Sequence, residues 1–192
     1  MMRTAFSIFL ALACHVVAVG EVRRFDFDGS GNPTQAGWNS AAGGSGSDGT
    51  VSVFTTAVGS GVFVDTRNRG SENGGGAHAA MWNDFVFANG SSSNGEGLDI
   101  SLTGLAPSSS YPVSIWAFDD ITTGPTTGDW NGNALTFPSS PDPTSLGEYK
   151  VTFTITTDAA GAATIQGRVG TPANGGHNVF INGLEIGEKI SL

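Results

Sequence analysis

The stretch from Leu98 to Phe118, LDISLTGLAPSSSYPVSIWAF, constrains the fold more than any other part of the chain. Leu98, Ile100 and Leu102 alternate with Asp99, Ser101 and Thr103, and Tyr111, Val113 and Ile115 alternate with Pro112, Ser114 and Trp116. A period of two sends successive side chains to opposite faces of a pleated strand, so each run has one apolar face. Between the runs, residues 104–110 carry Gly, Pro and three consecutive Ser, which favour turns. The pattern predicts two strands facing one core, with the connector taking the chain over the edge of a sheet. Trp116 falls on the face opposite Val113 and Ile115, which predicts burial between that sheet and a loop.

Further strands are expected at Val22–Phe27, Thr50–Ala57, Gly61–Thr66, Asp84–Ala88, Ala134–Phe137, Glu148–Thr157, Ala163–Val169 and His177–Ile186. Gly59-Ser60-Gly61 reads as the turn of a hairpin, and Asp158–Gly161 as the turn that returns Glu148–Thr157 onto Ala163–Val169. Residues 28–49 read as one long loop, and Ala77–Trp82 as a single helical turn at most. Outside the first residues no segment sustains apolar spacing of three and four over a helical length. The fold class expected is therefore all-β, an antiparallel two-sheet β-sandwich. Its core should bury Phe25, Leu98, Ile100, Leu102, Val113, Ile115, Val151, Phe153 and Ile155.

Residues Met1–Gly20 have the form of a secretory signal peptide: Arg3, an apolar run, then Ala18 and Gly20 ahead of Glu21. Residues 21–192 then form a single domain. The lone cysteine, Cys14, lies inside that leader, so the mature chain has no disulfide. Leu12-Ala13-Cys14 also bears some likeness to a lipoprotein processing site, which would anchor the chain through Cys14. The formal net charge of −9 argues against nucleic acid and against an anionic membrane surface as partners, and the apolar run is too short to span a bilayer.

Gly44-Ser45-Gly46-Ser47-Asp48-Gly49 matches a dinucleotide-binding pattern, but the segment after it reads as a strand where that chemistry needs a helix. The overlapping GGSGSD occurs once, and calcium-binding repeats of that type work by stacking. There is no G-x-S-x-G, no H-E-x-x-H and no mature cysteine to serve as a nucleophile. His78 and His177 lack a third ligand at metal spacing.

The tryptophans carry the functional expectation. Trp38, Trp82 and Trp130 lie in Gly-, Asn- and Asp-rich segments. An exposed ring there offers an apolar platform to the C–H face of a sugar, while Arg69, Asp119 and Asn131 are candidates to bond its hydroxyls. The competing reading is that each ring plugs an end of the sandwich, as large apolar side chains usually do. Arg69, with Arg67, is either part of a ligand clamp or one side of an ion pair to Asp65 or Asp84.

Six segments together resemble secreted galactose-binding-like β-sandwich domains: FDF at Phe25–Phe27, RNRGSENGG, DFVFA, LTGLAPSSSY, YKVTFTITTDAAG and VFINGLEI. Such domains occur as carbohydrate-binding modules. The resemblance implies a jelly roll with its first and last strands side by side, a sugar site in some members and a structural calcium in many. Calcium takes six to eight oxygen ligands. Adjacent first and last strands would bring Asp26 or Asp28 towards Glu185, with loop carbonyls completing the shell. The leading functional expectation is a secreted, non-catalytic glycan-binding domain. A structural or adhesive exported domain and a glycan-active enzyme are the alternatives.

Overall fold

A computed structural model describes residues 21–29, 32–70, 74, 76–120, 125–171 and 179–191. Residues 1–20, expected to form a leader and carrying Cys14, lie outside the described residues, as does His177. Fourteen strands, one α-helical turn and two short 3-10 turns (Ala42–Gly44 and Gly76–His78) follow in order among those described. They are β1 (Arg23–Asp26), β2 (Asn39–Ser40), β3 (Ser45–Ser47), β4 (Ser52–Val58), β5 (Phe63–Asn68), α1 (Ala79–Trp82), β6 (Asp84–Asn89), β7 (Gly97–Thr103), β8 (Ser110–Trp116), β9 (Thr126–Trp130), β10 (Asn133–Phe137), β11 (Lys150–Thr156), β12 (Ala163–Val169), β13 (Phe180–Ile181) and β14 (Gly183–Ile186). They form a five-stranded sheet in the order β11-β8-β14-β1-β2, a six-stranded sheet in the order β10-β9-β12-β7-β4-β3, and a three-stranded sheet in the order β13-β6-β5. Every pairing is antiparallel except the short one between β1 and β2.

The alternation in the sequence becomes the two inner faces. In the five-stranded sheet Phe25, Leu184 and Ile115 stand in register. In the six-stranded sheet Thr55, Ile100 and Ile165 do. All but Thr55 belong to one contiguous buried apolar cluster. Full burial of each aliphatic or aromatic side chain there contributes about 1.5–3 kcal/mol. β7 and β8 lie in different sheets and present Leu98, Ile100, Leu102, Val113 and Ile115 to that one core, fully buried, with residues 104–109 crossing between the sheets. The first and last strands, β1 and β14, are neighbours.

Several local expectations are corrected. Gly59-Ser60-Gly61 does not close a hairpin, because β4 joins the six-stranded sheet and β5 the three-stranded one. Asp158–Gly161 likewise carries the chain across the sandwich from β11 to β12. At an edge of the five-stranded sheet, Val151 and Phe153 on β11 are only half buried, while Ile155 is fully so. Residues 28–49 contain two short edge strands.

The closing segment is two strands, broken at Asn182, where the chain leaves the three-stranded sheet for the five-stranded one. Asn182 is wholly buried. Its Nδ2 donates to the carbonyls of Trp82 (3.2 Å) and Asp84 (2.9 Å), and its Oδ1 accepts from the Phe118 N–H (2.8 Å). Its own N–H donates to Trp116 O, and its carbonyl accepts from the Phe27 N–H. The side chain and backbone of this one residue thus tie α1, β6 and the ends of β8 and β1 at the sheet junction, with its polar groups satisfied as burial requires.

Candidate functional site

The tryptophans are internal. Trp130 ends β9 in register with Gly167 and is fully buried. A Cβ at Gly167 would lie 2.6 Å from the Trp130 ring, so the absence of a side chain there is what lets the indole lie against the backbone. Trp82, at the end of α1, is also fully buried and meets Phe118 and Tyr149 edge-on at 6.4 and 6.5 Å. Neither ring is the exposed platform expected of it. Trp38 is half buried, edge-on to Trp116 at 5.5 Å. Trp116 is itself buried on the outer face of the five-stranded sheet, with Nε1 donating to Leu146 O at 2.9 Å.

The polar residues expected around those rings have partners of their own. Arg69 and Asp119 meet each other in a bidentate pair at 2.9 and 2.8 Å, largely shielded from solvent. The guanidinium therefore pairs with Asp119 and not with Asp65 or Asp84. Asn131 is exposed, and its side chain accepts from the Gln166 N–H at 2.8 Å. Asn131 and Gly132 have φ of 51° and 81°, the left-handed pair of a two-residue hairpin between β9 and β10. That Asn-Gly dipeptide was the sequence signal that could have placed Trp130 at a strand end.

Two aromatic rings among the described residues are exposed, Phe63 on β5 (54%) and Phe54 on β4, with 57% of its surface accessible; Phe54 is the one on the six-stranded sheet. It stands on the outer face of the six-stranded sheet in a row with Ser101 and Thr164. The next row is Thr56, Asp99 and Gln166, and the one beyond ends in Arg168 and Asp129. Arg168 Nη1 lies 2.7 Å from Asp99 Oδ1, an ion pair between adjacent strands. Past Arg168 the face opens into a cleft of about 520 Å³ lined by Ser92, Asn94, Asp129, Arg168 and Thr171 among others. Glu96 shapes its rim by accepting from the N–H groups of Ser92 (2.8 Å) and Ser93 (2.9 Å), bonds that hold its carboxyl below the usual range. Phe54 gave little signal in the sequence, because an apolar residue in a strand is expected to point inward.

The carboxylates proposed for calcium separate into two groups. Glu185 lies opposite Arg24 in the ladder and accepts from its Nε at 2.7 Å, so it is engaged by a cation of the chain. Asp26 and Asp28 are buried at 0% and 1% exposure, in company not with Glu185 but with Asp84 at 2%. The segment after β1 folds around these three acids. Gln35 N–H donates to Asp26 Oδ2 (2.5 Å), Thr34 and Ser40 hydroxyls donate to Asp28 (2.8 and 3.0 Å), and the Asn32 side chain and Gly29 N–H donate to Asp84. Asp26 Oδ1 and Asp84 Oδ1 find no donor among the described residues. Burial, opposed by the Gln35 bond and reinforced by Asp28, pushes the Asp26 carboxyl up to about 7. Burial, reinforced by Asp26 and Asp28, pushes Asp84 up to about 8. Among the described residues no three Asp, Glu, His or Cys side chains are gathered to hold a metal ion, so the set Asp26, Asp28 and Glu185 does not assemble a calcium shell.

No family model matches this chain, and no curated protein does. Solved structures similar in part include the following two. A family 35 carbohydrate-binding module from Clostridium thermocellum shares 18% identity over 70% of this chain and 90% of its own, with a TM-score of 0.32. The enzymatically active domain of tailspike protein 4 from bacteriophage CBA120 shares 15% identity over 74% of this chain and 19% of its own, with a TM-score of 0.28. At such scores the fold class rests on this chain's own strand order. No helix among the described residues is long and apolar enough to cross a membrane.

Proposed function

We propose that this protein is an exported, non-catalytic carbohydrate-binding domain that takes its ligand on the outer face of the six-stranded sheet. The observation that carries this reading is the exposed Phe54 ring set among Ser, Thr, Gln and a fixed Asp99–Arg168 pair, on a face that runs into a polar cleft. A ring face packs against sugar C–H groups, and hydroxyl, amide and paired ionic side chains offer both donors and acceptors to sugar hydroxyls. Phe54 and Arg168 are two strands apart and four residues out of register, about 16 Å by ideal sheet spacings. That span suits a short oligosaccharide better than one ring. The arrangement favours holding over reacting: Arg168 is fixed by Asp99, and Asp129 Oδ1 accepts from the Gly132 N–H at 2.7 Å. The leader-like Met1–Gly20 supports export.

Screening soluble polysaccharides and immobilised oligosaccharides tests the proposal, followed by calorimetry on the best ligand with the wild type and Phe54→Ala. Affinity should rise with oligosaccharide length and fall on the order of tenfold or more in Phe54→Ala, with the melting temperature unchanged. Wild-type affinity retained in Phe54→Ala, or no glycan bound at all, would overturn it.

A further inference from the structure

A second cavity opens on the far side of the acidic cluster. It measures about 360 Å³ and is walled by Pro33, Ala79, Ala80, Asn68, Asn83 and Asp84 among others. Asp84 is 2% exposed, and its Oδ1 meets no donor among the described residues. Behind it lie Asp26 and Asp28, equally buried, which raise the negative potential at Asp84. No Arg, Lys or His side chain among the described residues pairs with any of the three. On the adjoining elements Arg23 pairs with Asp48, Arg24 with Glu185 and Arg69 with Asp119, Arg67 lies over the Phe87 ring, and His78 precedes α1; none of them pairs with the three acids. Buried carboxylates are normally paired with a cation or neutralised. This cluster has hydrogen-bond donors in plenty and no positive charge.

We propose that this cavity binds the ammonium head of a primary alkylamine, with Asp84 as its anchor. An ammonium brings three N–H donors and one positive charge, which suits the ionised, acceptor-only form of Asp84 with its unpaired Oδ1. The guest's charge draws the carboxyl out of the protonated form that burial favours up to about pH 8 before a guest binds. A bare divalent ion of the calcium kind needs six to eight oxygens about one point, and the described side chains gather no such set. The Asp26 and Asp28 oxygens are mostly committed to Gln35, Thr34 and Ser40, so they act on the guest as a field and not as direct ligands. Pro33, Ala79 and Ala80 supply the apolar wall that an alkyl stem packs against while its charged end is held. Two sources share this chemistry, a lysine side chain of another protein and a free polyamine. The inference is independent of the glycan reading, since the two sites use different residues.

The test is a thermal melt and a calorimetric titration of the whole mature chain with n-butylammonium chloride, 1-butanol and calcium chloride as separate probes. The wild type should be stabilised by butylammonium and not by butanol. Asp84→Asn should weaken butylammonium binding on the order of tenfold or more. Ala80→Met fills the cavity without touching a carboxylate, and should abolish binding while melting as the wild type does. Among source probes, tighter binding of N-acetyl-lysine amide than of spermidine identifies a protein lysine as the guest, and the reverse order identifies a polyamine. An equal response to butanol, a response to calcium alone, unchanged binding in both variants, or no response to any probe overturns the assignment.

Discussion

Trp130 is held against Gly167 with none of its surface exposed, whereas Phe54 leaves 57% of its surface in solvent. Truncation of the two rings should therefore be felt in different measurements. Trp130→Ala removes a large core side chain and leaves a cavity, and should cost about 3–5 kcal/mol in denaturant unfolding. Phe54→Ala should change that free energy by no more than about 0.5 kcal/mol. Similar losses in both variants would place Phe54 in the core. The buried carboxyls give a second residue-scale expectation. Asp26 titrates at about 7 in the folded chain, against an ordinary 3.8 that holds once it is unfolded. Between those values the native state binds the proton that the unfolded state has lost, so stability falls as pH rises. The Asp26 contribution is fully favourable below about pH 4 and lost by about pH 7. Asp26→Asn keeps an acceptor for the Gln35 N–H and removes the charge. It should raise stability at pH 8 by roughly 4 kcal/mol relative to the wild type, with no gain at pH 4. An equal effect at both pH values would show that the carboxyl does not titrate as described.

At the scale of elements, the junction between the three-stranded and five-stranded sheets is what fixes the back of the molecule. Without Asn182 the chain could not change sheets between Ile181 and Gly183 and still satisfy the ends of α1, β6 and β8. Asn182→Ala removes three hydrogen bonds, to the carbonyls of Trp82 and Asp84 and from the Phe118 N–H, in a site with no solvent access. A loss of about 3 kcal/mol or more is expected from equilibrium unfolding, at about 1–3 kcal/mol for each buried bond removed. A loss under about 1 kcal/mol would mean that water or a local shift replaces the amide. The β9–β10 hairpin works differently. Its Asn131-Gly132 turn is local, and its job is to present Asp129 at the mouth of the polar cleft with Trp130 packed beneath.

At the scale of the whole molecule, one buried cluster joins the inner faces of all three sheets. A single core predicts one cooperative transition, with far-ultraviolet circular dichroism and tryptophan fluorescence melting together. Consecutive strands often lie in different sheets, as β4 and β5, β7 and β8, and β11 and β12 do, and β1 pairs with β14. Contacts of that separation need long loops closed before they stabilise anything, so refolding in the millisecond-to-second range is expected by stopped flow. Microsecond folding would contradict a structure dominated by such pairings.

The sequence by itself determined most of the strands, though not β2, β3 or β9, and the core faces of β7 and β8. Side-chain alternation is a property of the extended backbone and needs no partner, so Leu98, Ile100, Leu102, Val113 and Ile115 could be assigned to one core from their spacing. It also determined that Trp116 would be covered on its own face. Tertiary structure alone decided which strands pair, because a turn sequence such as Gly59-Ser60-Gly61 permits a reversal without saying which sheet receives the chain. It decided that Trp82 and Trp130 are core while Phe54 is surface, because exposure depends on what packs above a residue and not on the polarity of its neighbours in sequence. And it alone brought Asp84 beside Asp26 and Asp28 and left Glu185 with Arg24, since charges so far apart along the chain meet only when sheets stack.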